Sequence, residues 1–229
     1  MHIWGTTSCT RYAAFAALGL CAAVGVPAPA LAQEEDTQFW VYTVGKTDLG
    51  KDTSLTVDFT ARWREERRGD EQRTARFTIL HDVSPEAKIG VRIGGGGGVF
   101  ETEGGRTELR PHQEIDLSLG RVSARTRLEQ RFFDGADRME LRVRQLVRYT
   151  QPLGDEVKLA VDGEYLGLAQ TRERDSARAR NQWRARAILS AKVSNRLSLG
   201  GGYMAIYTPR EASSDRLAHV PEAYITVRF

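Results

Sequence analysis

Arginines and carboxylates at two-residue spacing are the residues of this chain best suited to chemistry. Arg125, Arg127, Glu129 and Arg131 alternate along one stretch, and Glu140, Arg142 and Arg144 along the next. Held on one face of neighbouring strands, they would form either a basic constriction that selects anions, as charged rings do in pores, or a ladder of ion pairs that fills the space it faces. Glu114, Asp116, Asp162 and Glu164 add carboxylates at the same spacing, and Arg62, Arg92, Arg184 and Arg186 add cations. The supply of carboxylates favours the ladder.

Other constellations are weaker. His219 follows Ser213, Ser214 and Asp215 closely and so collects the residue types of a hydrolytic relay, but no nucleophile-elbow motif or spacing supports one. We expect no enzyme. His112 reads as a hydrogen-bonding group on an inward face and His81 as a strand-end residue, and histidines so scattered give no metal site and imply no cofactor. The run Gly94–Gly98 satisfies almost any glycine-rich pattern, yet no Lys-Ser or Lys-Thr follows and no helix flanks it to hold a phosphate. Inward glycines at 94, 96 and 98 are expected to leave room for bulky arginines opposite and to let a sheet bend, with Gly200–Gly202 acting similarly.

Composition limits what can position these groups. The chain has 229 residues, of which 28% are charged, 41% hydrophobic and 8% aromatic. That charge excludes a helical multi-span membrane protein, and the apolar and aromatic content argues against disorder. The 33 basic and 30 acidic residues give a net charge of +3 and are interspersed without any nucleic-acid-binding motif, so nucleic acid is not an expected partner. Only five of the basic residues are lysines. Arginine suits crowded paired networks because its planar fork can hold a carboxylate bidentately.

Residues 1–32 read as a secretory signal peptide: Arg11 precedes the apolar stretch Ala13–Val26, and Ala30-Leu31-Ala32 has the small-x-small pattern of a cleavage site. The mature chain is then expected to begin at Gln33. Both cysteines, Cys9 and Cys21, fall in the removed part, which leaves no disulfide, thiol nucleophile or thiolate metal site. Leu20 stands where a lipoprotein signal needs a small residue, so lipidation at Cys21 is not expected.

Downstream the dominant period is two. Leu55, Val57, Phe59, Ala61 and Trp63 alternate with Thr56, Asp58, Thr60, Arg62 and Arg64, as on a strand with one greasy and one wet side. The same pattern recurs at 88–93, 138–149 and 182–193, and further strands are expected at 73–82, 107–119, 121–133, 156–168, 195–207 and 218–229. Many of these segments run about 10 to 15 residues, longer than is usual in soluble sheets and right for tilted strands crossing a bilayer. Connectors alternate between tight (Val83–Glu86, Gly120, Pro152–Asp155, Ser194–Arg196) and longer, charged ones (Glu65–Gln72, Glu101–Arg106, Gln170–Ala179, Thr208–Arg216). Outer-membrane barrels have short periplasmic turns and longer outward loops, so the expected fold is a closed antiparallel transmembrane β-barrel with a periplasmic C-terminus, in the outer membrane of a Gram-negative bacterium. Bacterial barrels use even strand numbers, so ten are expected over 52–229, or twelve if one is missed. Residues 33–51 form an N-terminal segment or an extra strand. Phe39, Val41 and Thr43 face one way and Trp40, Tyr42 and Val44 the other, and the wet side is missing.

The sequence resembles a family of uncharacterised bacterial outer-membrane barrels, domain of unknown function 2490. The resemblance rests on Gln38-Phe39-Trp40, Phe59-Thr60-Ala61-Arg62-Trp63, Arg127-Leu128-Glu129-Gln130-Arg131-Phe132, the Arg-rich stretch Arg138–Arg148 and the terminal Phe229. It implies a barrel and a location and brings no activity or site.

These features set the expected function: a structural or assembly-related barrel with an Arg/carboxylate-filled lumen, with a narrow pore for small or anionic solutes and a lipid-modifying rim enzyme as alternatives. The expected partners are outer-membrane lipid, barrel-assembly machinery and small anionic solutes. At the chain end Tyr224 and Arg228 fall on one face and Ile225, Val227 and Phe229 on the other, and Tyr224, Val227 and Phe229 resemble the terminal signal that assembly machinery reads by strand pairing.

Overall fold

The computed structural model describes residues 34–64, 71–84, 87–104, 107–173, 181–210 and 213–229. The signal-peptide reading, with Cys9 and Cys21, lies outside them, as do parts of the longer connectors. Every regular element among the described residues is a strand: β1 (Glu34–Asp48), β2 (Thr53–Arg64), β3 (Glu71–Asp82), β4 (Gly90–Thr102), β5 (Glu108–Leu109), β6 (His112–Leu119), β7 (Val122–Phe133), β8 (Glu140–Pro152), β9 (Val157–Gln170), β10 (Gln182–Lys192), β11 (Leu197–Thr208) and β12 (Arg216–Arg228).

These twelve segments make eleven staves of one closed barrel. β5 and β6 are a single strand in unbroken register, since Leu109 pairs with Val99 and His112 with Gly96 on β4. The interruption falls at Pro111, which has no N–H to give. Arg110 still exchanges backbone hydrogen bonds of 2.8 and 3.1 Å with Gly98. Neighbours pair antiparallel around the ring, and β1 closes it against β2 on one side and β12 on the other.

The β1–β12 closure is parallel, with Glu34 beside Arg216 and Lys46 beside Arg228. This corrects the expected count of ten or twelve. Evenness follows only when the first and last strands run in opposite directions; here they run in the same direction, and an odd number results. Residues 39–49 are therefore part of a full stave. Its start, Glu34, lies at the rim of the longer loops, whereas Phe229 ends at the rim of the tight turns, where its N–H donates to Lys46 O at 3.0 Å. Gly120, at φ +57°, forms the sharpest of those turns, in a conformation that L side chains avoid.

Alternation divides the wall into two faces. Outward positions carry Phe59, Phe77, Ile115, Val147, Val161, Trp183 and Leu189, all exposed. Aromatic pairs gather toward the loop rim, with Phe39 stacked on Trp63 at 5.8 Å and Tyr165 tilted against Trp183 at 4.5 Å. The inward face is mixed. Trp40, Met204, Ile206, Ala218 and Val220 form an apolar cluster on the β1, β11 and β12 side, with Tyr42 packed against it. Arginines and carboxylates line much of the remainder.

Gly94 and Gly96 prove necessary for a reason other than the one expected from sequence. A Cβ on them would meet the carbonyl oxygens of Ile79 and Phe77 at 1.9 and 2.0 Å, so it is the β3 backbone, not an arginine side chain, that excludes anything larger.

Candidate functional site: an arginine-lined lumen

The inward parity of β6 to β10 brings the charged residues together as three linked clusters. Nearest the loop rim, Glu108 accepts paired hydrogen bonds from Arg110 (2.6 and 2.7 Å) and from Arg131 (2.6 and 2.9 Å), and Arg131 also donates to Glu140. The Arg110 guanidinium lies 3.4 Å over the Phe100 ring, which fixes its plane.

The middle cluster crosses five strands, β6 to β10. Glu129, 1% exposed, accepts from Arg142 at 2.5 and 2.8 Å and from Arg144 at 2.9 Å. Arg144 reaches Glu164 as well, at 2.7 and 2.8 Å, and Arg125 donates to the same carboxylate at 2.9 Å from two strands away. Arg184 stands 3.5 Å from Glu164, and Arg127 donates to Glu114 at 2.5 Å. One carboxylate thus serves two or three guanidiniums.

Toward the turn rim, Asp162 is shared by Arg148 (2.7 Å) and Arg186 (3.1 Å). Arg186 also donates to the Tyr224 hydroxyl at 3.1 Å, passing β11 where its inward positions are Gly200 and Gly202. Tyr224 stacks on Tyr42 with ring centres 4.6 Å apart, and both hydroxyls donate to Glu222, at 2.7 and 3.1 Å. Arg92 pairs with Asp116 at 2.9 Å near the turn rim, with about half of its side chain exposed.

Arg62 differs from the others. It donates to the amide oxygen of Gln72 at 2.8 Å and lies 4.0 Å over the Trp40 ring, and no carboxylate pairs with it among the described residues.

Several lumen residues were not singled out by the sequence reading: Lys46, Arg76, Glu108, Arg110 and Arg216; alternation over 138–149 already puts Arg148 on the wet face. Arg76 is held bidentately by Asp58 at 2.9 and 3.0 Å. The signal that would have found Arg76 is strand parity, since it shares the inward face with Thr74 and Thr78. Arg110 sits against Pro111, where the alternation is hardest to follow.

The clusters surround a cavity of about 790 Å³ that extends from Arg131 and Phe100 to Arg228 and Phe229. Fourteen arginines and lysines line it against six carboxylates. Glu108, Glu129 and Glu140 pair with lining arginines from just behind this surface; with them the ratio is fourteen to nine, and the wall is still net positive.

The remaining sequence candidates are dispersed. His112 is buried, with Nε2 3.1 Å from Thr78 Oγ1, and His81 meets Thr53 at 2.9 Å. His219 faces outward and contacts the Tyr203 hydroxyl, while Asp215 accepts from Tyr207 and from the Arg210 N–H. Asp215 and His219 are thus directed to different partners. At the chain end Tyr224 is in the lumen, Val227 pairs with Leu197, and Phe229 is exposed with its ring beside Gly45.

No curated protein matches the chain. Among solved structures it is similar to OmpTdeltaL8, a loop L8 deletion mutant of OmpT, an outer membrane protein of Vibrio cholerae, at 11% identity and a TM-score of 0.41. The alignment covers 71% of this chain and 59% of that one, so the chain spans less than two thirds of that structure's length. Residues 37–218, from within β1 to the start of β12, match the family described as protein of unknown function (DUF2490), and with most of the barrel inside that match the chain belongs to this family.

Proposed function

We propose that this protein is an outer-membrane barrel of a Gram-negative bacterium whose lumen admits small anionic solutes. The observation that carries the reading is the excess of guanidinium and ammonium groups over carboxylates around the 790 Å³ cavity. A lumen built only for pairing would match its charges, whereas here Glu164, Glu129 and Asp162 are each shared and Arg62 has only an amide. Membrane placement is supported by the apolar outward face on a ring without free edges and by the secretory pattern of residues 1–32. Outer-membrane lipid and the assembly machinery are the macromolecular partners this implies. No catalytic step belongs to the proposal.

A second reading, a plugged structural barrel, is favoured by the ion pairs that link β7, β8 and β9 through Glu129, Arg144 and Glu164. Planar-bilayer recording separates the two. We expect conductance steps whose reversal potential in a salt gradient has the sign of anion flow. A silent barrel would favour the plugged reading, and cation selectivity would overturn the assignment of the lumen charge.

A further inference from the structure

The loop-rim end of the lumen holds a second, smaller cavity of about 160 Å³. Arg62, Arg64, Arg184 and Arg216 line it together with glutamines, Trp40 and Thr208, and no carboxylate does. We propose that this cavity is a binding site for one oxyanion group, a phosphate or carboxylate carried by a solute entering the barrel. The proposal deepens the anion-lumen reading by naming the ligand class and its seat.

Three observations carry it. First, the positive charge of Arg62 is uncompensated, and the carboxylates nearest the cavity are already engaged. Asp36 is committed to Arg216 and Gln38, Glu164 is divided among Arg125, Arg144 and Arg184, and Arg62 has only the Gln72 amide. Secondly, donors are left over, since the Nε atoms of Arg62 and Arg216 are buried with no hydrogen-bond partner among the described residues. Water could satisfy those donors but would leave the charge. Thirdly, the cations are held in place. Trp40 donates to Gln38 at 3.0 Å, and its ring carries Arg62 at 4.0 Å and has Arg184 at 5.8 Å. A fixed guanidinium fork matches two oxygens of one group better than it matches a spherical halide. The space corresponds to about five waters at their share of liquid volume, which is enough for a phosphate.

The test is calorimetric titration of the full chain, folded in a maltoside detergent, with inorganic phosphate and with chloride at matched ionic strength. We expect one saturable phosphate per chain and no saturable chloride. Arg62→Gln should weaken phosphate binding at least tenfold, and Arg62→Lys, which keeps the charge without the fork, should weaken it severalfold; Arg73→Gln, at an exposed outward position of β3, should leave it unchanged. Gel mobility with and without boiling checks that each variant is folded, and Arg62→Lys serves if Arg62→Gln is not. Equal phosphate affinity in wild type and the Arg62 variants, or saturable chloride binding of the same strength, would overturn the site. A barrel that binds phosphate yet never conducts loses only the pore reading. One that is anion-selective but indifferent to Arg62 loses only this site.

Discussion

Sharing of carboxylates makes individual arginines unequal. Arg144 alone joins Glu129 to Glu164, and its removal leaves both carboxylates short of a partner in a buried setting. Arg144→Met should therefore cost about 3–5 kcal/mol. Arg92→Gln breaks a pair that is half in solvent and should cost about 0–1 kcal/mol. Denaturant unfolding of the two variants in detergent checks the contrast, and equal losses would mean that the middle cluster does not act as a linked unit. A sharper steric test lies on β4. Gly96→Ala would set its Cβ 2.0 Å from the Phe77 carbonyl oxygen, so the β3–β4 pair must separate and folded yield should fall steeply, whereas Gly201→Ala, 3.8 Å from the nearest backbone oxygen, should fold normally.

Strands show where such contacts could be read in advance. On β2 each position is clearly greasy or wet, so Val57 was assignable outward and Thr56 inward, and the structure keeps that alternation with Asp58 and Thr60 buried and Phe59 exposed. Val57→Arg should cost roughly 2–4 kcal/mol near mid-bilayer and Thr56→Arg little; comparison of membrane-inserted yields decides it. β1 was harder. Its inward residues Trp40 and Tyr42 face the apolar cluster, so both faces are apolar and polarity carries no period. Partners were legible only as a set. Arg125 and Glu164 could be placed on one face, but their meeting 39 residues apart depends on register and curvature that no alternation encodes. Just past β12 the exposed Phe229 adds little packing, with its ring against Gly45. If the terminal residue is an assembly signal, deleting it should lower inserted yield far more than Tyr149→Ala, which changes a comparable turn-rim aromatic; equal yields would make it one interfacial aromatic among several.

At the scale of the whole molecule, a ring with every strand paired has no edge from which unfolding can begin, so the protein should migrate differently on gels before and after boiling in detergent. Identical mobility, together with extraction by salt alone, would count against membrane insertion. The parallel seam between β1 and β12 has a separate consequence for anyone labelling or rewiring the chain. Because Glu34 lies at one rim and Phe229 at the other, reporters attached at these two residues would, in the proposed membrane placement, look out on opposite compartments. A circular permutant could not be closed with a short linker, because the join would have to travel the length of a strand, about 40 Å for a stave of this size.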